Sequence, residues 1–168
     1  MHMLKSGTLA LIALIITIPD NQGHADDIDL KWASARREAN ALGDLAKAGD
    51  ATAVRTLGGL ALISGNAPFA HNMGWVHQNG YAGERQGLEW ACGFYASAAG
   101  EEYPPGMHAY ANLCLLPTDR RSTGESAIAA DNEAMGMLSS SARLGWPASA
   151  ILYAERKLNR RGPVMKNA

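Results

Sequence analysis

The sequence predicts an all-α protein: about seven helices in antiparallel pairs, stacked as a short α-solenoid, with a compact helical bundle as the alternative. Three observations carry that prediction. Apolar residues recur at i, i+3, i+4 and i+7 in stretch after stretch, the spacing that gathers one face of a helix. No segment sustains the period-2 alternation of a half-buried strand. Glycines and prolines fall between the periodic stretches, where helices stop and start.

The chain begins with a segment that stands apart from this pattern. Lys5 supplies a positive start, Thr8 to Ile18 is an apolar run, and a polar stretch ending in Gly-His-Ala leads to Asp26. Residues 1–25 therefore read as a secretory signal peptide, with cleavage expected after Ala25. The run is shorter than the roughly 20 apolar residues of a membrane-spanning helix, so no stable membrane span is expected after cleavage; a retained short anchor is the alternative. The expected location is periplasmic or secreted. Residues 26–162 read as one helical domain and 163–168 as a flexible tail. A formal net charge of −1, with 18 % charged residues, supplies no basic field for nucleic acid. The 18 glycines favour helices that approach closely through small residues.

Each helix is justified in turn. Asp26 or Asp27 can cap the first, whose stripe is Ile28, Trp32, Ala35, Ala39, Leu42 and Ala46, and Gly49 ends it. Asp50 caps the second, with Val54, Leu57 and Ala61 on its apolar face up to Ile63, and Gly65 stops it. Pro68 falls in the first turn of the third, where proline is tolerated; Phe69, Met73 and Val76 form its stripe and Gly80 closes it. The fourth and fifth make a hairpin. Leu88, Ala91, Cys92 and Tyr95 fall on one stripe, and Met107, Tyr110, Ala111 and Cys114 on the other. Gly-Glu-Glu-Tyr-Pro-Pro, 100–105, is the expected loop between them. Ser122-Thr-Gly-Glu125 resembles a capping box for the sixth, with Met135, Leu138 and Ala142 on its face. Pro147 opens the seventh, with Ile151, Ala154 and Leu158 on one side.

In the cysteine hairpin, Cys92 and Cys114 lie about 12–14 Å from the turn on facing stripes. That register can bring their Cα atoms within the roughly 7 Å a disulfide needs. An exported chain with two cysteines agrees with one bridge; two buried core thiols are the alternative.

Related strings recur along the chain. Ala70-His-Asn-Met-Gly-Trp-Val-His-Gln-Asn-Gly80 has the pattern A-x-x-M-G-x-x-x-x-x-G, and Ala53 to Gly65 is a cousin. Met73 to Leu113 is 40 residues and Leu113 to Leu152 is 39, a period suited to a helix-turn-helix solenoid. On these residues the chain resembles the Sel1-like repeat family, relatives of tetratricopeptide repeats. Ala70, Met73, Gly74 and Gly80 match the first helix of a unit; Leu88, Trp90, Ala98, Ala99 and Gly100 match the second; Ala134, Met135, Leu138, Ala142, Gly145, Pro147, Ala148 and Leu152 match the last junction. The resemblance implies a protein-binding scaffold or adaptor, here with a protein partner in the cell envelope. A structural accessory subunit of a larger envelope or secreted assembly is the alternative. First helices of a solenoid line its concave face, so exposed side chains among His71, Asn72, Trp75, His77, His108 and Asn112 are the partner-binding candidates; ordinary solvated helix residues are the alternative for each.

No catalytic residue, cofactor or metal site is expected. His71 and His77 are six apart, a poor spacing for one helical face, and His108 can join them only through folding. Glu125-Ser126 resembles the Glu-Ser pair of lytic transglycosylases, but Gly124 and the polar residues before it predict an exposed helix start rather than a desolvated acid. Among the tryptophans, Trp32 and Trp90 are expected in the core, Trp146 as a staple beside Pro147, and Trp75 off its helix's stripe.

Overall fold

The computed structural model describes residues 22–116 and 125–160, with side chains from Leu30 to Leu116 and from Glu125 to Asn159. Most of the segment read as a signal peptide, the capping-box residues before Glu125 and the tail beyond Arg160 lie outside the described residues. Among the described residues the chain is all-α: α1 (Gln22–Lys47), α2 (Ala51–Ala61), α3 (Ala67–Asn79), α4 (Leu88–Gly100), α5 (Pro104–Ala109), α6 (Glu125–Arg143) and α7 (Pro147–Arg160). A 3₁₀ turn at Tyr81–Gly83 precedes α4, and a π-helical segment, Tyr110–Leu115, continues α5.

The boundaries follow local chemistry. The Asp50 carboxylate accepts from the amides of Thr52 at 2.7 Å and Ala53 at 3.1 Å, satisfying two donors at the start of α2. Gly80 takes the left-handed conformation, φ 68°, and its amide donates to the Val76 carbonyl to close α3. Two expected starts are corrected. α1 already runs at Gln22, so Asp26 and Asp27 lie inside it rather than at its cap; no proline between 20 and 47 interrupts the helix. Pro104 and Pro105 open α5 instead of lying in the loop, because proline's fixed φ and missing donor cost nothing in a first turn. The connection shrinks to Glu101–Tyr103. There Glu102 takes φ 59°, with its amide on the Ala99 carbonyl and the Tyr103 amide on that of Ala98.

The main packing follows chain order: α1 on α2, α3 on both, α4 on α3, α5 on α4, α6 on α5 and the π segment, and α7 on α6. The apolar core is correspondingly divided. One part, around Trp32, Leu57, Phe69 and Val76, joins α1, α2 and α3. A second, Ala91, Tyr95 and Ala109, joins α4 to α5. The third, Ala111, Leu116, Ala134, Met135 and Leu138, joins the π segment to α6 and receives Leu152 and Tyr153 of α7.

Small residues set the closest approaches, as the glycine content implied. A Cβ on Gly74 would lie 2.7 Å from the Tyr95 ring, between α3 and α4. One on Gly106 would lie 3.0 Å from the Ala98 carbonyl carbon, between α4 and α5. The cysteine register also holds: Cys92 and Cys114 are disulfide-bonded with Cα atoms 5.7 Å apart.

Five apolar residues, in three places, depart from expectation. Trp90 is 51 % exposed, whereas Trp32 is 4 % exposed. α2 ends at Ala61, so Leu62 and Ile63 are exposed in the turn beyond it. α7 presents Ile151 and Leu158 to solvent and packs on α6 through Ser149, Leu152 and Tyr153. An apolar stripe identifies a helix face but not which element covers it.

Candidate functional site

The six residues expected on a concave face are dispersed, and none of them is fully exposed. Asn72 is buried: its amide nitrogen donates to the Pro68 carbonyl at 3.0 Å and to Asn40 Oδ1 at 3.2 Å, fastening α3 to α1. His77 is buried too. Its ring stacks on Phe94, with centroids 5.4 Å apart and planes at 10°, and Nδ1 sits 3.3 Å from the Arg85 carbonyl, which only accepts, so Nδ1 carries the proton. Trp75 is half-buried against Tyr81. His71 is half-buried against the rings of Tyr95 and Tyr103. Asn112 is half-buried in the π segment. The exposure expected of Asn72 and His77 is corrected by one fact: α3 is touched by α1, α2 and α4, which makes it a central helix rather than the lining of an open face.

Two of the candidates do meet. His71 and His108 are close enough for His108 to help lower the His71 pKa, which falls to about 4 chiefly because burial disfavours the charged ring. Burial also lowers the His108 pKa. His108 Nδ1 lies 3.0 Å from Ser149 Oγ, Ser149 donates to Ser141 Oγ at 2.8 Å, and Ser141 donates to the Pro104 carbonyl at 2.8 Å. The direction of this chain is dictated from its end. The carbonyl only accepts, so Ser141 donates to it, Ser149 donates to Ser141, and His108 Nδ1–H donates to Ser149. Ser141 and Ser149 are fully buried, so the chain is a polar lock between α5, α6 and α7. A hydroxyl with no access to solvent is not a nucleophile for an incoming substrate. His77 faces Phe94 instead of joining this pair, and among the described residues no three His, Cys, Asp or Glu side chains are grouped to hold a metal ion. Glu125 is the exposed first residue of α6.

An open apolar groove lies elsewhere. The end of α2 and the outward face of α4 bound a groove of about 360 Å³, lined by Leu62, Glu89, Trp90, Gly93, Phe94 and Ser97. Trp90, 51 % exposed, and Leu62, 80 % exposed, both line it. Behind the aromatic wall lies the His77 ring, stacked on Phe94 and 6.3 Å from Trp90. Gly93 sits between them with nothing within 4 Å of where a Cβ would be, so its missing side chain is open space in the groove. The sequence carried a signal for this surface. α4 is apolar around most of its circumference: Ala91 and Tyr95 form its buried stripe, while Trp90 and Phe94, also four apart, form a second.

No family model, no curated protein and no solved structure matches the chain. Among the described residues no helix is long and apolar enough to cross a membrane.

Proposed function

We propose that this chain is an exported helical-repeat protein, akin to Sel1-like repeats, that works as a protein-interaction module or adaptor in the cell envelope, periplasmic or secreted. The groove between α2 and α4 carries the reading: a large aromatic side chain held half in solvent beside an apolar trough is a common anchor of protein interfaces. Export is supported by the apolar run of residues 8–18 and by the Cys92–Cys114 bridge, which persists in oxidising compartments. The repeat reading is supported by packing that passes mainly from each helix to its neighbours.

A second reading, an accessory subunit of a larger assembly, draws on α7. Ile151 and Leu158 are 61 % and 69 % exposed on one face of the last described helix, and Ile128 of α6 is exposed as well. A photo-crosslinking residue placed at Trp90, and separately at Ile151, tests both in the producing cell. One defined protein captured at 90 supports the adaptor. Capture at 151 in stoichiometric yield, with none at 90, favours the subunit. Absence of a protein adduct at either position, in correctly folded protein, rejects both.

A further inference from the structure

We propose that the Cys92–Cys114 bridge is a redox switch of helix register. Oxidised, it holds Tyr110–Leu115 in the π turn on which α6 docks; reduced, it lets the segment return to α-helical register and turn away from α6.

Nothing local in the segment calls for a π turn. Tyr-Ala-Asn-Leu-Cys-Leu contains neither glycine nor proline, half of it is alanine and leucine, and Ala109 before it has ordinary α-helical angles. Yet the Leu116 amide donates to the Ala111 carbonyl, five residues back, at 3.0 Å. Such turns are rare and mostly interrupt an α-helix once, so the cause lies in what the segment touches.

The bridge is that cause. α4 and α5 run antiparallel, with Gly106 against Ala98. From Ala98 back to Cys92 is six residues, a rise of about 9 Å, whereas Gly106 to Cys114 is eight residues, about 12 Å in an α-helix. An α-helical segment would carry Cys114 about 3 Å past its partner and about 80° round from Gly106. The wider turn absorbs one residue. It draws Cys114 back along the axis and into the place Leu113 would otherwise hold, on the face toward α4. There its Cα lies 5.7 Å from that of Cys92.

The absorbed residue also sets what meets α6. Ala111 and Leu116 are buried with Ala134, Met135 and Leu138, and Leu115 packs on them. Leu113 and Cys114 lie instead with Ala91 and Tyr95 of α4. Restoring the α register moves each residue after the turn by one position, about 100° round the helix. Leu115 and Leu116 then swing off α6, which is left with its packing on α5 and the Ser141 bond to the Pro104 carbonyl. α7, packed on α6 through Leu152 and Tyr153, loosens with it.

Both cysteines are half-buried, so the bridge is within reach of a small dithiol. A thiolate of the dithiol attacks one sulfur, the Cys92–Cys114 bond breaks and a mixed disulfide forms; the second thiol then displaces the remaining cysteine. Two electrons and two protons pass to the cysteines, and the dithiol leaves as a disulfide. α6 and α7 are thereby docked in an oxidising space and loosened in a reducing one.

Hydrogen-bond couplings measured by NMR on the isotope-labelled full chain read the register directly. The Leu116 amide should couple to the Ala111 carbonyl in the oxidised chain and to the Asn112 carbonyl after dithiothreitol. Coupling to Ala111 that survives reduction, or loss of all coupling at Leu116, overturns the proposal. On reduction, amide hydrogen exchange should rise at least about tenfold in α6 and α7 and less than about twofold in α2 and α3. A uniform rise would mark a simple staple and overturn the switch. Deletion of Asn112 removes the extra residue, so that variant should keep the α6 amides protected with or without dithiothreitol. An equal redox response of variant and parent overturns the proposal; if the variant does not fold, the Leu116 coupling decides alone.

Discussion

His108 and Ser149, 41 residues apart in the sequence, share a 3.0 Å hydrogen bond that fastens α5 to α7. It is one link of a chain in which every donor has an acceptor, ending on the Pro104 carbonyl. Ser141→Ala would leave the Ser149 hydroxyl without its acceptor in a fully buried site. It should cost about 1–3 kcal/mol in urea unfolding. Ser140→Ala, whose hydroxyl accepts from the exposed Arg143 guanidinium, should cost less than about 0.5 kcal/mol. Equal losses for the two would mean the relay does not hold α7.

The two histidines make stability depend on pH. Unfolded, the His71 ring takes up a proton near its ordinary 6.5; folded, it resists until about 4. Between those values the unfolded state binds more protons, so stability is fully present above about 6.5 and is lost as pH falls toward 4. His108 acts in the same direction. The loss attributable to His71 is of the order of 2–3 kcal/mol. His71→Phe keeps a ring against Tyr95 and Tyr103 while removing the proton site, so its melting temperature should fall less between pH 7 and pH 4.5 than that of the parent chain. Parallel profiles would assign the acid sensitivity to other groups.

The disulfide spans a sequence separation of 22 residues, for which the chain-entropy model gives about 3 kcal/mol. Reductant should lower the melting temperature of the parent chain, and Cys92→Ala should reproduce that loss and make the protein indifferent to reductant. A parent chain that melts equally with and without reductant would exclude the bridge as a stabilising element.

Glu102 is an unusual helix terminator. The same pair of backbone hydrogen bonds closes α1 around Gly49, follows α6 around Gly145, and closes α4 around Glu102. All three residues have positive φ, but only glycine adopts it without a Cβ clash. Glu102→Gly should therefore stabilise the protein by about 0.5–1 kcal/mol, read as a raised denaturant midpoint at unchanged m-value. A lowered midpoint would mean that the Glu102 side chain makes a contact outweighing the strain.

The sequence was most legible where one residue governs its own neighbourhood. Asp50 as a cap, Gly80 as a stop and the facing register of Cys92 and Cys114 all follow from spacing and local chemistry. It was least legible where the outcome depends on which of two apolar faces finds a neighbour. α4 has apolar stripes on two sides; Ala91 and Tyr95 of one are covered, while Trp90 of the other is left half in solvent. α7 buries Ser149 and exposes Ile151 because the His108 relay, joining residues far apart in the chain, draws the polar side inward. The π segment has no comparable signature; its wider turn changes which residues face α4 without changing their order. Asn72 and His77 were misjudged as exposed for the complementary reason: polar side chains can be buried when a carbonyl is waiting for them, and here Pro68 and Arg85 supply it.

The bridge also occupies a particular place in the order of packing. Because most helices lean chiefly on their neighbours, opening can start at either end and travel inward, as a stacked row loosens from its outer members. Cys92 and Cys114 tie α4 to the segment that follows α5, near the middle of that row. Fraying that begins at α7 meets a covalent stop before it reaches α3, and fraying that begins at α1 meets the same stop from the other side. Backbone amides of α4 and α5 should thus exchange their hydrogens last. The two ends should therefore open and close independently of one another.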